Sequence, residues 1–458
     1  MSSLSAPHPH AAATPGASFT GDRRGADSGE QRDPIRALIA VPTLDSGAAD
    51  AGAAALAKIL SQAGHRPIVV SRLGRLVADV TAAGAEFVAL DMGGKNPISI
   101  IRNGFTLMRI ARERRCDLIH AHGRAAAWSA FLAARLTGLP FVTSWYKGFR
   151  DQNILKHFYN GVMARGDRVV AASEQLAQLV NDRYGIDWER ITVLPSSIDF
   201  ERFDPAQVTR ERVETLRRSW GIKPDTKVIL VVGRILRRKG HHVMVRAAQR
   251  LKDMGFKDFL CVFVGEDRGH THYTGELWDL VLTTRTMDVV RMAAPVADMP
   301  AAYAAAAVVV SAAVQPEGLQ RAILEAQAMG RPVIVSDLGA GPDVVLTAPA
   351  VPDGRVTGLR YAASDDAALA EALVRLFSMP EPNRRAMGAR GRDWVCAHFE
   401  PALVAEQTLR LYAAVAGRMA SRAPRRRRRA IKSSSLRALA ATSSGIEYNS
   451  LAKTREPR

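Results

Sequence analysis

Short apolar runs alternate with amphipathic segments from about residue 35 to residue 416. Most runs are continuous, and each is followed by a segment whose apolar residues recur at helical spacing. Strands of continuous apolar residues are buried on both faces, so the pattern predicts an α/β fold with parallel sheets between layers of helices. The predicted strands cover residues 37–41, 67–71, 86–90, 117–122, 140–144, 168–172, 191–195, 227–232, 260–264, 289–292, 308–311 and 333–336.

A polar stretch at residues 198–206 separates two series of strands and predicts a hinge between two domains. We assign residues 34–200 to the first domain and residues 207–395 to the second, and expect a helix at about 400–416 to cross back to the first. Two parallel sheets joined in this way leave a ligand cleft between the carboxyl ends of their strands. Residues 1–33 and 418–458 lack the pattern, and their composition predicts disorder.

The formal net charge of +18 is concentrated near the C-terminus. Residues 418–458 hold 12 Lys and Arg against 2 acidic residues, including consecutive arginines at 425–429. We expect these arginines to contact the anionic inner face of the cytoplasmic membrane. Nucleic acid is not expected as a partner, because no recognition module accompanies them.

The chain lacks a long apolar run, an apolar core near its N-terminus and paired cysteines, so we predict a cytoplasmic protein without a spanning helix, disulfide framework or structural zinc.

Two glutamates, Glu317 and Glu325, lie around the start of a helix predicted between the strands at 308–311 and 333–336. If the helix begins near Leu319, the two carboxylates stand roughly 12 Å apart along its axis, about the reach of a nucleotide-sugar. The amides of Gly318 and Leu319 would face outward at the positive end of this helix. The segment therefore predicts a site for an anionic or hydroxyl-rich ligand, although two ordinary surface glutamates explain the pattern equally well.

Arg234 and Lys239 flank the turn between the strand at 227–232 and a helix that starts near Gly240. Two cations at such a turn can neutralise both phosphates of a leaving nucleotide. The turn belongs to the same sheet as the Glu317 loop, which favours a binding role over a solvated basic loop. We interpret the neighbouring Arg237 and Arg238 as solvated surface residues.

His120 and His122 end the strand at 117–122 and face the same side, because strand side chains alternate with a period of two. His122 lies at the carboxyl end, where cleft residues collect, whereas His120 is well explained as a buried structural histidine. No further ligands follow at metal-binding spacing, so no metal site is predicted. After the first strand, Ser46 and Gly47 precede a helix and offer amides to a phosphate, which is a weak signal by itself.

Together these motifs resemble family 4 of the glycosyltransferases, the retaining class in which two facing Rossmann-like domains form the GT-B fold. The similarity covers residues 35 to about 416 and is closest to lipopolysaccharide-type bacterial members. Ser46, Tyr146 and residues 293–295 depart from the family pattern in regions that concern the acceptor and the base. The matching positions are Ser46-Gly47, His120-Ala121-His122, Gly233-Arg234, Lys239-Gly240, Glu317 and Glu325.

The resemblance implies transfer of a sugar from a nucleotide-diphosphate-sugar donor to a cell-envelope glycan or lipid-linked acceptor, without a metal or other cofactor. It implies that Arg234 and Lys239 hold the donor diphosphate. Glu317 would bind the sugar hydroxyls, Glu325 would bind the ribose, and His122 would face the donor sugar and the acceptor. The implied donor site is completed by Gly47, Gly318 and Leu319.

Other functions occur on the same fold. A sugar-nucleotide epimerase or a phosphorylase would use a similar cleft, and a catalytically degenerate copy could act as a scaffold on a membrane or polyanion. Release of nucleotide diphosphate only when an acceptor is present indicates a transferase, whereas an epimerase interconverts donor sugars without an acceptor. A scaffold would keep its partners after loss of Glu317.

Residues 98–115 predict an amphipathic helix in which Ile101, Phe105, Met108 and Ile110 lie among five arginines. Such a helix can lie in an anionic leaflet. We favour the interpretation that its apolar stripe packs on the first sheet, as in an ordinary amphipathic helix. The arginines at 425–429 are therefore the predicted membrane contact.

Overall fold

The chain forms two parallel sheets, each between two layers of helices. The computed structural model describes residues 33–422 except 46, 95, 149–152, 268, 270 and 340. The first sheet has the order β3-β2-β1-β4-β5-β6-β7 and the second β10-β9-β8-β11-β12-β13, all in parallel pairs. The strands are β1 (Arg36–Thr43), β2 (Arg66–Arg72), β3 (Glu86–Ala89), β4 (Leu118–His122), β5 (Phe141–Trp145), β6 (Arg168–Ala171), β7 (Ile191–Val193), β8 (Lys227–Val232), β9 (Phe259–Val264), β10 (Val290–Ala293), β11 (Val308–Ser311), β12 (Val333–Ser336) and β13 (Gly358–Tyr361).

All twelve predicted strands are present, and β13 is the one that the pattern missed. It is short, begins at a glycine and contains Arg360, so it lacks a continuous apolar run. It lies at the edge of the second sheet beside β12. An edge strand needs less apolar sequence, which explains why its pattern is weak.

Helices cover both faces of each sheet. In the first domain α3, α4 and α6 pack on one face, and α1, α2 and α15 on the other. In the second domain α8, α9 and α13 cover one face, and α7, α10, α11 and α14 the other. The helices are α1 (Ala48–Gln62), α2 (Val77–Ala82), α3 (Pro97–Glu113), α4 (Arg124–Thr137), α5 (Ile154–Asn160), α6 (Glu174–Tyr184), α7 (Arg210–Ser219), α8 (His241–Asp253), α9 (Thr271–Thr283), α10 (Met299–Ala305), α11 (Arg321–Ala328), α12 (Gly341–Val344), α13 (Asp366–Ser378), α14 (Glu381–Phe399) and α15 (Pro401–Arg422).

The chain passes between the domains at two places. The amide of Ile198 donates to the carbonyl of Phe399 at 3.1 Å, and the ring of Phe203 lies 6.0 Å from that of Tyr303 in the second domain. The predicted hinge thus packs against the second domain from Ile198 onward, while α15 returns and buries Tyr412 in the first domain. The domain boundaries themselves stay predictions.

In the described part of the chain, no helix combines the length and the apolar character needed to cross a membrane. Residues 1–32 and 423–458 lie outside the described residues, and so do the arginines at 425–429. The disorder and the membrane contact predicted for these segments stay predictions.

Candidate functional site

Gly240 allows two loops at the carboxyl edge of the second sheet to touch. It follows β8 and a short basic turn, and it adopts φ +71° at the start of α8. A β-carbon at Gly240 would lie 1.6 Å from the carbonyl oxygen of Ala312, in the loop after β11. Only glycine fits both this backbone conformation and this close approach. The basic turn is thereby brought against the loop that carries Glu317.

The carboxylate of Glu317 is held by two cations of that turn. The guanidinium of Arg238 donates to one carboxylate oxygen and the ammonium of Lys239 donates to the other. The Glu317 side chain is only 10% exposed. Because both cations are charged donors, they fix the orientation of the carboxylate. Glu317 is therefore a buried, paired carboxylate and not a solvated surface glutamate.

The interpretation of Arg238 as a solvated residue is wrong. Its side chain is 35% exposed and bonds Glu317, whereas that of Arg237 is 61% exposed, pairs with Glu276 and lies over the ring of Tyr273. Three successive basic residues at 237–239 carry no periodic signal, so the sequence could not tell which of them faces the loop. The observation that could have helped is that Arg238 directly precedes Lys239.

The cations outnumber the acid at this edge. Arg234 is exposed at the end of β8, and its charge acts on both Arg238 and Lys239. Together with Glu317, these three cations carry a formal charge of +2. Burial and the charges of Arg238 and Arg234 lower the pKa of Lys239 to about 8, and the contact with Glu317 favours its charged form. A doubly charged anion would relieve this local excess of positive charge.

Glu325 lies about one turn inside α11, because the helix begins at Arg321 and not near Leu319. Gln320, at the N-cap, is non-helical, which shortens the helix that the spacing predicted. The Glu325 carboxylate accepts a hydrogen bond from Tyr303 at 2.8 Å and lies 3.6 Å from Arg321. Burial raises its pKa. The buried Tyr303 orients this carboxylate toward the side on which Arg321 lies.

Gly318 marks the point where the two domains touch. A β-carbon there would lie 1.8 Å from the carbonyl oxygen of Tyr146 and 3.1 Å from the Cα of Lys147, both in the loop after β5. Within the described residues, the amides of Gly318 and Leu319 donate no hydrogen bond. The loop therefore keeps unbonded donors beside the Glu317 cluster, and glycine is required for the contact across the cleft.

A second contact across the cleft joins α12 to the start of α6. The Asp343 carboxylate accepts a hydrogen bond from the amide of Gln175 at 3.0 Å. Burial raises the pKa of Asp343, and burial with the nearby Asp343 charge raises the pKa of Glu174. No periodicity links residues so far apart in the chain, so the sequence analysis missed this contact.

The histidines of β4 belong to a buried network in the first domain. Nδ1 of His120 lies 2.7 Å from the hydroxyl of Tyr412 and its Nε2 lies 2.8 Å from the hydroxyl of Ser144. Nδ1 of His122 lies 2.9 Å from the hydroxyl of Tyr146, and the two rings stack. His122 is 1% exposed, so the structure does not place it on an open cleft surface. Tyr146 covers it.

Burial also determines the charge of these histidines. It lowers the pKa of His120 well below its ordinary value and that of His122 to about 3. Both rings are therefore neutral at physiological pH and act as hydrogen-bonding groups. A neutral His122 can orient a hydroxyl but carries no charge to a departing phosphate.

The loop after β1 is held by hydrogen bonds to the carboxylate of Asp50. The Asp50 carboxylate accepts hydrogen bonds from the amide of Gly47 at 3.0 Å and the hydroxyl of Thr43 at 2.9 Å. The Gly47 amide, predicted to bind the donor, is thus bonded within the protein. Ser46 lies outside the described residues.

Among the described residues, no group of three or more His, Cys, Asp and Glu side chains could hold a metal ion. Cys116 and Cys261 are buried and unpaired, and Cys396 is half-buried.

Two family models match the chain. The model for Glycosyltransferase Family 4 matches residues 51–202, in the first domain, and that for Glycosyl transferases group 1 matches residues 226–379, in the second. The chain is 31% identical over 302 residues to a D-inositol 3-phosphate glycosyltransferase of Actinosynnema mirum, covering 61% of this chain and 69% of the relative. The enzyme of the same name from Thermobifida fusca is 31% identical over 60% of this chain and 64% of its own length.

Solved structures share the two-domain architecture. A glycosyltransferase from Rickettsia africae superposes with a TM-score of 0.75 at 26% identity, covering 84% of this chain and 99% of its own. Anabaena Alr3699/HepE, solved with UDP-glucose, superposes with a TM-score of 0.69 at 18% identity, covering 83% of this chain and 100% of its own. At that identity the HepE likeness concerns the fold alone.

Proposed function

Because the chain belongs to glycosyltransferase family 4 and has the GT-B fold, we propose that it transfers a sugar with retention from a nucleotide-diphosphate-sugar to an acceptor. The single observation that supports this most is the cluster of Arg234, Arg238 and Lys239 around Glu317. Its formal charge of +2 matches the two negative charges on the diphosphate of a nucleotide-diphosphate-sugar. The cluster lies at the carboxyl edge of a parallel sheet, where ligands of such folds bind.

We assign the donor diphosphate to Arg234, Lys239 and Arg238. The cations and the unbonded amides of Gly318 and Leu319 would stabilise the charge that develops as the nucleotide diphosphate departs, so that no metal is needed. Activity should therefore survive EDTA, and a large loss with the chelator would contradict this mechanism.

We assign the sugar hydroxyls to Glu317 and the ribose to Glu325. The carboxylate of Glu317 is held by its two cations before any donor arrives, so its orientation costs nothing at the moment of binding. Glu325 is oriented by Tyr303 in the same way. Because both carboxylates are fixed, they can orient a bound donor. The cations alone would only attract it.

His122 and Gly47 require a rearrangement in this proposal. His122 reaches the donor sugar only if the ring of Tyr146 moves away from it, and the Gly47 amide reaches an anion only if Asp50 releases it. Tyr146 adjoins Gly318, so donor binding in the second domain could displace it. We propose that His122 then acts as a neutral hydrogen-bonding group at the acceptor side.

The acceptor we propose is a cell-envelope glycan or a lipid-linked glycan, reached from the inner face of the cytoplasmic membrane. A small phosphorylated acceptor is the second candidate, because two relatives are named for D-inositol 3-phosphate. Lys147 favours an anionic acceptor of either kind. Burial and the charges of Arg124, Arg238 and Arg234 lower its pKa, so it faces other cations across the cleft.

A thermal-shift screen across nucleotide-sugars tests the donor assignment. A ligand at about 100 times its Kd raises the free energy of unfolding by about 2.7 kcal/mol, which moves the melting temperature measurably. We expect at least one nucleoside diphosphate and its sugar to raise it. No shift with any donor would overturn the proposal.

Product analysis then separates the transferase from its alternatives. Each donor that binds is incubated with and without lipid-linked glycans and D-inositol 3-phosphate, and free nucleotide diphosphate and donor sugars are measured. Acceptor-dependent release supports transfer. Interconversion of the donor sugar without an acceptor would identify an epimerase, and binding without either reaction would identify a scaffold.

A further inference from the structure

Helix α3 exposes one apolar face of the first domain. Ile98 is 74% exposed, and Ile101 and Phe105 are each 51% exposed. Their spacing of three and four residues puts them on one side of the helix. The opposite side is buried, where Gly104 abuts Leu132 of α4. The apolar stripe expected to pack inward is therefore divided: Ile110 is buried and Met108 packs against the core of the first domain, whereas the expectation is wrong for Ile101 and Phe105.

Helix α5 exposes a second group of large apolar side chains, which the sequence analysis missed. Ile154 is 87% exposed, Leu155 79% and Phe158 58%. The helix is short and begins next to the loop that follows β5. Exposed residues of this size normally occur singly on a protein surface, so two groups on nearby helices call for a partner.

The two groups are joined through α4. The hydroxyl of Ser129 donates to the carbonyl of Ile100 in α3 at 3.1 Å. The adjacent residue, Trp128, donates to the carbonyl of Tyr159 in α5 at 3.1 Å, and its ring lies 5.4 Å from that of Phe158. Because neighbouring residues of α4 contact both helices, the exposed groups lie on two helices that both pack on α4, and we treat them as one surface. We call it the α3–α5 face: Ile98, Ile101, Phe105, Ile154, Leu155 and Phe158.

The charges around the α3–α5 face are mostly positive. Residues 96–112 and 153–166 contain no Asp or Glu. Arg102 is exposed on α3, whereas Arg109 pairs with Glu113 at the end of that helix at 3.6 Å. Exposed Arg165 lies over the rings of Trp128 and Phe158 at 5.3 and 5.5 Å. Apolar side chains flanked by cations and free of acids have the composition of a surface that inserts into an anionic lipid interface.

We propose that the α3–α5 face docks on an anionic lipid bilayer. A second copy of the chain meeting it face to face would set the same cations against one another. The segment at 418–458 carries a net positive charge and would be repelled as well. Both helices begin where strands of the first sheet end, so docking places the mouth of the cleft at the lipid surface. The inference deepens the proposed lipid-linked acceptor but needs no catalysis to be tested.

Vesicle sedimentation with the full chain tests the docking. Vesicles of phosphatidylcholine with phosphatidylglycerol are compared with pure phosphatidylcholine, using Ile101→Glu with Phe105→Glu as the face variant. Leu282→Glu is the matched control, because Leu282 is 54% exposed on α9 of the other domain. We expect at least tenfold weaker binding to the anionic vesicles for the face variant and unchanged binding for the control.

Two further measurements keep the outcome decisive. The donor-induced thermal shift of the face variant shows that it is folded and separates a failure of docking from a failure of the proposed function. Replacing the arginines at 425–429 by Gln in the full chain tests the competing contact. Binding that depends on these arginines and ignores the face variant would overturn the proposal, and so would a dimer, seen by sedimentation velocity, that only the face variant dissociates.

Discussion

The two edges of the cleft bury polar groups in opposite ways, one as charged pairs and the other as neutral hydrogen-bonded groups. The edge of the second domain concentrates charge, with Arg238 and Lys239 on Glu317. The edge of the first domain buries neutral groups, with His120 and His122 bonded to tyrosine hydroxyls. Charge is useful where a diphosphate binds and departs, whereas a neutral network fixes side chains without attracting an anion. The difference supports the proposal that one edge recognises the donor and the other positions side chains.

The largest expected effect comes from breaking the charged edge. Glu317→Gln and Lys239→Ala should each lower kcat/KM by about 30- to 1000-fold, or about 2–4 kcal/mol, because each removes a charged partner from a partly desolvated site. Steady-state kinetics with the donor found in the thermal-shift screen measures this. Arg237→Ala is the control, since this neighbour points to Glu276. Equal losses for Arg237 and Lys239 would mean that the turn acts only through its overall charge.

The next effect concerns the point where the edges meet. Gly318→Ala places a β-carbon 1.8 Å from the carbonyl of Tyr146, so the loop or the domain contact must shift. We expect a loss of about 1–3 kcal/mol in the free energy of unfolding, as for other overpacked sites, and weaker donor binding. Denaturant unfolding and the donor thermal shift measure both. Gly354→Ala is the control, because nothing lies within 4 Å of a β-carbon there. A variant as stable as the wild type would mean that the contact with Tyr146 opens freely.

Much of this architecture was predictable, because burial on both faces of a strand produces an apolar run that is visible in sequence. Both sheets, and the turn and loop that carry Lys239 and Glu317, followed from such runs. Contacts between distant side chains were not predictable. Whether Arg238 or Arg237 pairs with Glu317 depends on how the short basic turn meets the loop after β11. Tyr146 covers His122 only because α1 has Gly52 where the tyrosine ring fits. The predictions for residues 423–458 rest on their amino-acid composition.

Two tyrosine variants test how much hydrogen bonding stabilises the neutral edge. Tyr412→Phe removes the hydroxyl that bonds Nδ1 of His120 and leaves that buried nitrogen without its partner. We expect a loss of about 1–2 kcal/mol in the free energy of unfolding. Tyr361→Phe is the control, because among the described residues its buried hydroxyl has no partner. Urea unfolding compares the two. Equal losses would mean that the hydrogen bond to His120 adds nothing beyond packing.

The smallest effect is a pH dependence that only the charged edge should show. The pKa of Lys239 is lowered to about 8, so its charge is present below that pH and is lost as the pH rises. Between pH 7.5 and 8.5 the charged fraction falls about threefold, so the affinity of the free enzyme for a nucleoside diphosphate should fall by up to about threefold. Calorimetric titration across this range measures it. Lys239→Arg stays charged throughout and should bind with a flat profile. The histidines contribute nothing here, because His122 is already neutral above pH 4. A decline of the same size in Lys239→Arg would assign the titration to another group and remove Lys239 from the pH response.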